Sequence, residues 1–197
     1  MALCLGEIEA VFAIMLVSVP GGKPMCAYEE ENMRSNFSVP DNADSAIRVR
    51  PYRSGDEAFV LSLAPRLLTG MPPWRSAEKW LGAVQYWMKQ DFKNHGKRCM
   101  LFIAENEHGE RLGFANVAYA KHFTGEPYAY LGELAVSEEV EGHGVGKALV
   151  HACEQWAREQ GYSSLVLDTG TTDNERARNF YKRLGFVPES IKLTKLL

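Results

Sequence analysis

With 197 residues, 46% of them hydrophobic and 24% charged, the chain has ordinary globular composition and length enough for one domain with a sizeable core. A formal net charge of −3 and a pI near 6.0 supply no global basic field, and no local basic patch replaces it, so no nucleic acid partner is expected. Cys4, Cys26, Cys99 and Cys153 lack metal-ligand spacing, which favours reduced structural thiols and a cytoplasmic location over a disulfide framework.

The first segment, Leu3 to Val19, is largely apolar but carries Glu7 and Glu9 and has no Lys or Arg before it. That start is wrong for a secretory signal, and the run is short for a bilayer span, so no membrane association is expected. Pro20 to Ala46, with GGKP, an acidic run and SVPDNADS, reads as a linker. Residues 1–45 are therefore expected to be an extension and residues 46–197 the domain.

Ile47-Arg48-Val49-Arg50 alternates as a half-buried strand should. Ser54 with Glu57 fits a capping box for a helix bearing Ala58, Leu61, Ala64 and Leu68, in which Pro65 argues for a kink or an early end. After the stiff loop Gly70 to Arg75, Ser76 can cap a second helix with Trp80, Val84, Trp87 (or Met88) and Phe92 (or Asp91) at helical spacing. Cys99–Ala104 and Leu112–Tyr119 flank a turn at 107–110 and read as a hairpin.

Tyr128 to Val136 is the next strand, followed by a glycine turn and a helix ending at Gly161. Val145, Leu149, Ala152 and Trp156 share one face of that helix, and Lys147, His151, Glu154 and Arg158 share the other. Ser164 to Asp168 is a short buried strand. Asp173 or Asn174 then caps a helix carrying Ala177, Tyr181 and Leu184, Gly185 stops it, and Phe186-Val187 begins a last strand. The expected class is α/β (α+β): a mixed, mostly antiparallel sheet flanked by helices, in the order β-α-α-β-β-β-α-β-α-β.

Gly142, Gly144 and Gly146 let backbone approach a ligand closely, and the free amides of the following helix face the turn, so an anion is the expected guest. A P-loop needs four residues between its first Gly and Gly-Lys, and only three separate Gly142 from Gly146-Lys147. The dinucleotide fingerprint needs a third Gly where Lys147 stands. Neither matches.

Glu141-Gly-His-Gly-Val-Gly-Lys-Ala148, preceded by ELAVSEEV and followed by Asn174-Glu-Arg-Ala-Arg-Asn-Phe-Tyr-Lys-Arg-Leu-Gly-Phe186, resembles the GNAT superfamily of N-acetyltransferases, over roughly Ile47 to Val187. The resemblance implies acetyl-CoA as co-substrate, with its pyrophosphate on Gly142, Gly144, Val145, Gly146 and Lys147. The pantetheine arm is implied along Leu134, Ala135 and Val136, with Glu141, His143, Asn174, Ala177 and Tyr181 completing the cofactor site. Glu141 departs from the Arg or Gln usual in the family, and His143 and Lys147 are expected to offset its charge.

Transfer to an amine requires the neutral amine, yet an alkylammonium is less than about 0.1% deprotonated at neutral pH. Glu133, in the strand that holds the thioester arm, is the expected base through a water, with Glu126 and His122 in reserve; its other reading is a carboxylate that orients a cationic acceptor. Tyr181 matches the family tyrosine that protonates the departing thiolate, with a core tyrosine as the alternative, and Asn174 either bonds the pantetheine or caps its helix. No Cys or Ser stands in a nucleophile context, so transfer is expected to be direct. No metal is needed, and His108, His122, His143 and His151 are scattered. The acceptor is expected to be a primary amine, as a small amine, an amino acid, a peptide N-terminus or a lysine. Trp74, Phe123 and Tyr128 are candidate walls, and the protein is expected as a monomer or homodimer. An acyl-CoA-binding sensor of the same fold is the alternative.

Overall fold

The computed structural model describes residues 46–170 and 174–197. The expected N-terminal extension, the threonines Thr171 and Thr172, and Asp173 lie outside the described residues.

Five strands form one sheet in the order β1 (Ile47–Pro51), β2 (Cys99–Asn106), β3 (Arg111–Lys121), β4 (Pro127–Val136) and β5 (Leu165–Leu167). The first four pair antiparallel and β5 joins β4 in parallel, giving the mixed, mostly antiparallel sheet expected. The helices are α1 (Glu57–Ser62), α2 (Ala77–Asn94), α3 (Val145–Gln160) and α4 (Glu175–Arg183).

Side-chain alternation along the strands divides the core in two. Phe102, Ala104, Ala115, Val117, Ala129 and Leu131 meet Val145, Leu149, Cys153 and Trp156 of α3 on one face. Ile103, Phe114 and Ala135 meet Val60, Leu63, Val84 and Met88 on the other, under α1 and α2. The apolar stripe of each helix is thus spent on one face of the same sheet.

Several local expectations change. The first helix divides: α1 stops at Ser62, and Ala64–Leu68 winds as a 3-10 turn with Pro65 in its first turn, as the missing proline N–H allows. Ser54 is not its cap. The helix begins after Asp56, whose carboxylate accepts from the Arg53 N–H at 2.8 Å and pairs with Arg50, while Glu57 accepts from the Gly55 N–H at 2.7 Å. Ser76 does cap α2, accepting from the Lys79 N–H at 3.3 Å.

The last strand is also corrected: Phe186 and Val187 join no sheet among the described residues. Gly185 is left-handed (φ 91), its N–H bonds the Lys182 carbonyl, and the Phe186 N–H bonds the Tyr181 carbonyl at 3.1 Å. This pair of hydrogen bonds closes α4, and the Phe186 ring packs edge-on to Tyr181, so the amide a strand would need is already used.

Candidate active site

The glycine turn is built for backbone exposure. Gly142 (φ 82) and Gly144 (φ 89) hold left-handed conformations that suit glycine, and Gly144 precedes α3 with no side-chain cap on the helix. The first-turn amides of Val145, Gly146 and Lys147 have no intrahelical partner, so the positive end of α3 faces outward. Gly146 also sets a spacing: a Cβ there would lie 3.3 Å from the Phe180 ring and 3.8 Å from a Leu134 methyl. β4, α3 and α4 therefore converge at that glycine. The cradle joins the two sequence motifs in space.

Glu141 is not balanced by His143 and Lys147, both exposed. Arg66 of the 3-10 turn and Arg176 of α4 each pair with its carboxylate, and Arg66 also reaches Glu138 at 3.3 Å. Two guanidiniums thus stand beside the turn, and the carboxylate inside it is neutralised by them.

β4 is ten residues long, but β5 pairs only with Ala129, Tyr130 and Leu131. Beyond Leu131 the β4 edge that faced β5 has no strand partner among the described residues, which leaves a row of main-chain groups able to pair with an extended ligand. Leu134 and Val136 pack on the α3 side and Ala135 is buried toward α1 and α2. This free edge leads to the glycine turn.

A β-bulge explains which way Glu133 points. Val117 faces Leu131, but Ala115 faces Leu134, so Gly132 and Glu133 together oppose Asn116. Strict alternation would put Glu133 with Leu131 in the α3 core; the extra residue returns Leu134 to that face and leaves Glu133 with Ala135 on the α2 side. Asn116 fixes the bulge. Its Oδ1 accepts from the Glu133 N–H at 2.6 Å, and its Nδ2 donates to the Glu133 carboxylate at 2.6 Å and to the Asp91 carboxylate of α2 at 2.5 Å. Burial pushes Glu133 up to about 7, against the lowering effect of its Asn116 hydrogen bond. Burial, followed by the charge of Glu133, also raises Asp91 well above the usual carboxylate range.

The reserve bases sit elsewhere. His122, Thr124 and Glu126 form an exposed hydrogen-bonded group in the β3–β4 turn, before the start of β4 rather than near its end. Burial, with the neighbouring Cys153 second, pushes the Tyr181 phenol up to about 12. Its ring lies among Phe180, Phe186 and the α3 core. Ala177 stands one turn earlier on α4. Asn174 precedes α4 without a side-chain cap bond; its Nδ2 donates to Thr169 Oγ1 at 3.3 Å, and its side chain lies against Gly70.

Of the aromatic walls, Trp74 is 45% and Phe123 67% exposed, whereas Tyr128 is buried with Ala120 and Tyr130. Among the described residues, no group of three or more His, Cys, Asp or Glu could hold a metal ion. No helix among them is long and apolar enough to cross a membrane.

Four site residues escaped the sequence reading: Asp91, Asn116, Arg66 and Arg176. Two had a signal. Asn116 interrupts the buried run Phe114 to Val117, and Asp91 falls on the apolar stripe of α2 behind Val84 and Met88. A polar residue where the pattern demands an apolar one is worth testing as a site residue. The arginines carried no comparable mark, since only folding brings them to Glu141.

Comparison with known proteins adds to this geometry. The model of the acetyltransferase (GNAT) family matches residues 61–186. N-acetyltransferase 8B of Homo sapiens is 33% identical over 135 residues, 65% of this chain and 56% of that protein, so the similarity spans about half the relative's length. Aminoglycoside N(6')-acetyltransferase type 1 of Klebsiella aerogenes is 29% identical, over 66% of this chain and 84% of that one. Among solved structures, an aminoglycoside N-acetyltransferase in complex with CoA shares the fold with a TM-score of 0.59 at 19% identity, covering 76% of this chain and 94% of that one.

Proposed function

This chain belongs to the acetyltransferase (GNAT) family, and from that membership we propose that it transfers an acetyl group from acetyl-CoA to a primary amine by direct attack. One observation carries the reading: the edge of β4 beyond Leu131, unpaired among the described residues, runs into a glycine-lined helix N-terminus without a side-chain cap. An extended arm ending in a diphosphate needs those two features in that order. The CoA carried by the structural neighbour supports the same ligand here.

Acetyl-CoA supplies the activated acyl carbon and, on its loss, a thiolate. The chain's residues do the rest. The amides of Val145, Gly146 and Lys147 with the α3 dipole bind the diphosphate, and the main chain of Leu134 to Val136 bonds the arm. Glu133 takes a proton from the acceptor ammonium through a water, the freed amine attacks the thioester carbonyl, and as the C–S bond breaks the attacking nitrogen loses its second proton to solvent. A carboxylate pushed up to about 7 is matched to that task near neutral pH. Tyr181, fully protonated with its phenol near 12, gives its proton to the departing thiolate and recovers one from solvent.

The alternative, a binder without turnover, rests on the repulsion between Glu141 and a diphosphate and on the unassigned base. Arg66 and Arg176 cancel much of the Glu141 charge, which weakens the first ground. The Klebsiella relative's name points to polyamino sugars as one acceptor class worth testing. A panel of amines, amino acids, peptides and an aminoglycoside, followed by thiol release from acetyl-CoA, tests both reaction and acceptor. Amine-dependent release supports the proposal.

A further inference from the structure

Asp91 has no part in the proposed chemistry, yet it stands half-buried on the face of α2 that meets the sheet opposite Glu133. The two N–H groups of one amide, Asn116 Nδ2, serve the two carboxylates, at 2.5 Å to Asp91 and 2.6 Å to Glu133. Gly132 makes room for this: a Cβ there would stand 2.6 Å from Asn116 Oδ1. No Lys, Arg or His is ion-paired with either carboxylate among the described residues.

A neutral amide cannot neutralise two buried anions. Like charges that share a site do not both ionise in the ordinary carboxylate range, and the pair keeps one proton until the pH is well above it. We propose that Asp91 is a positioning residue for the proton on Glu133: Asp91, Asn116 and Glu133 form one unit that holds a single proton near neutral pH. Repulsion between the two carboxylates raises the affinity of the unit for that proton above what a lone carboxyl there would have. The inference rests on Glu133 as base only for its catalytic consequence; the shared proton stands on the geometry.

The other titratable groups facing the unit are few. From β2, the Cys99 thiol donates to the Asp91 backbone carbonyl. Within β4, the Tyr130 phenol feels the charge of Glu133 and donates to Asp168, beyond β5, at 2.9 Å. Burial, with Asp168 second, pushes the Tyr130 phenol well above its usual range, so Asp91 is the carboxyl directly coupled to Glu133.

The test is a carboxyl-carbon NMR titration of the full chain, with the Glu133 signal assigned by its loss in Glu133→Gln. It is repeated in Asp91→Asn, and in Asp91→Ser should the first variant fold poorly. In the parent, Glu133 is expected to titrate near neutral pH; without the Asp91 charge its midpoint falls by one pH unit or more. An unchanged midpoint overturns the proposal. The pH profile of kcat/KM in the same variant separates the two readings. A midpoint that falls together with the acid limb of the rate supports both. A midpoint that falls while the limb stays upholds the shared proton and removes Glu133 as base.

Discussion

Asn116 grips Glu133 at both ends, accepting from its backbone N–H at 2.6 Å and donating to its carboxylate at 2.6 Å. The grip stabilises the bulge that turns Glu133 away from the α3 core. Asn116→Ala leaves that N–H without its acceptor, and a buried unsatisfied group costs about 1–3 kcal/mol. Thermal unfolding should fall by roughly 2–4 °C for each kcal/mol lost. Turnover should drop more than acetyl-CoA affinity. A stable variant with full turnover would show that the grip is incidental.

Glu133→Gln removes the proton acceptor while keeping its shape. The rate should fall by about 10²–10⁴-fold, the usual contribution of a general base. The parent should lose activity as pH falls through about 7, where Glu133 takes up its proton. In the Gln variant that limb should vanish. A retained limb near pH 7 moves the base elsewhere.

Tyr181→Phe keeps the ring that packs against Phe180 and Phe186 but removes the phenolic proton. Turnover should decline with little change in acetyl-CoA binding, measured by calorimetry. Equal loss of both would make Tyr181 a packing residue.

Glu141→Gln frees Arg66 and Arg176 from their carboxylate partner. Acetyl-CoA should then bind severalfold tighter, and the gain should shrink as salt is raised, because Arg176 is largely exposed. Weaker binding would mean that Glu141 is needed to hold the turn in shape.

Much of this arrangement is legible in the chain itself. The β2–β3 hairpin, the Ser76 cap, the stop at Gly161 and the glycine turn all follow from local chemistry, which does not need the rest of the fold. Phe186 misleads because the final Gly-Phe pair can begin a strand or close a helix, and the packing of Phe186 on Tyr181 decides between them. The bulge at Gly132 and Glu133 is similarly hidden: it exists only because Asn116 stands opposite. The partners of Glu141 lie 75 and 35 residues away along the chain, so no local pattern could announce them.

A different network governs stability. Asp56, 3% exposed, takes Arg50 at 2.8 Å and Arg111 at 2.8 Å, tying α1 to β1 and β3. Burial opposes its charge, but the hydrogen bonds from Arg50 and the Arg53 backbone prevail and hold its carboxyl below the usual range. The folded state therefore binds its proton less readily than the unfolded chain. This stabilisation is complete above the unfolded value of about 4 and is lost as pH falls through the lower folded value. Asp56→Asn should cost about 1–3 kcal/mol at pH 7, because Arg50 keeps Glu105 at 2.6 Å but loses its other carboxylate partner, and the gap should narrow in acid. A constant gap in urea unfolding from pH 7 to pH 3 would contradict this.

The central claim is tested most directly by thiol release from acetyl-CoA across a panel of primary amines, with acetylated product identified by mass. Saturable, amine-dependent release, matched one for one by acetylated amine, is the predicted result. Saturable CoA binding with no amine-dependent release from any member of the panel would contradict it.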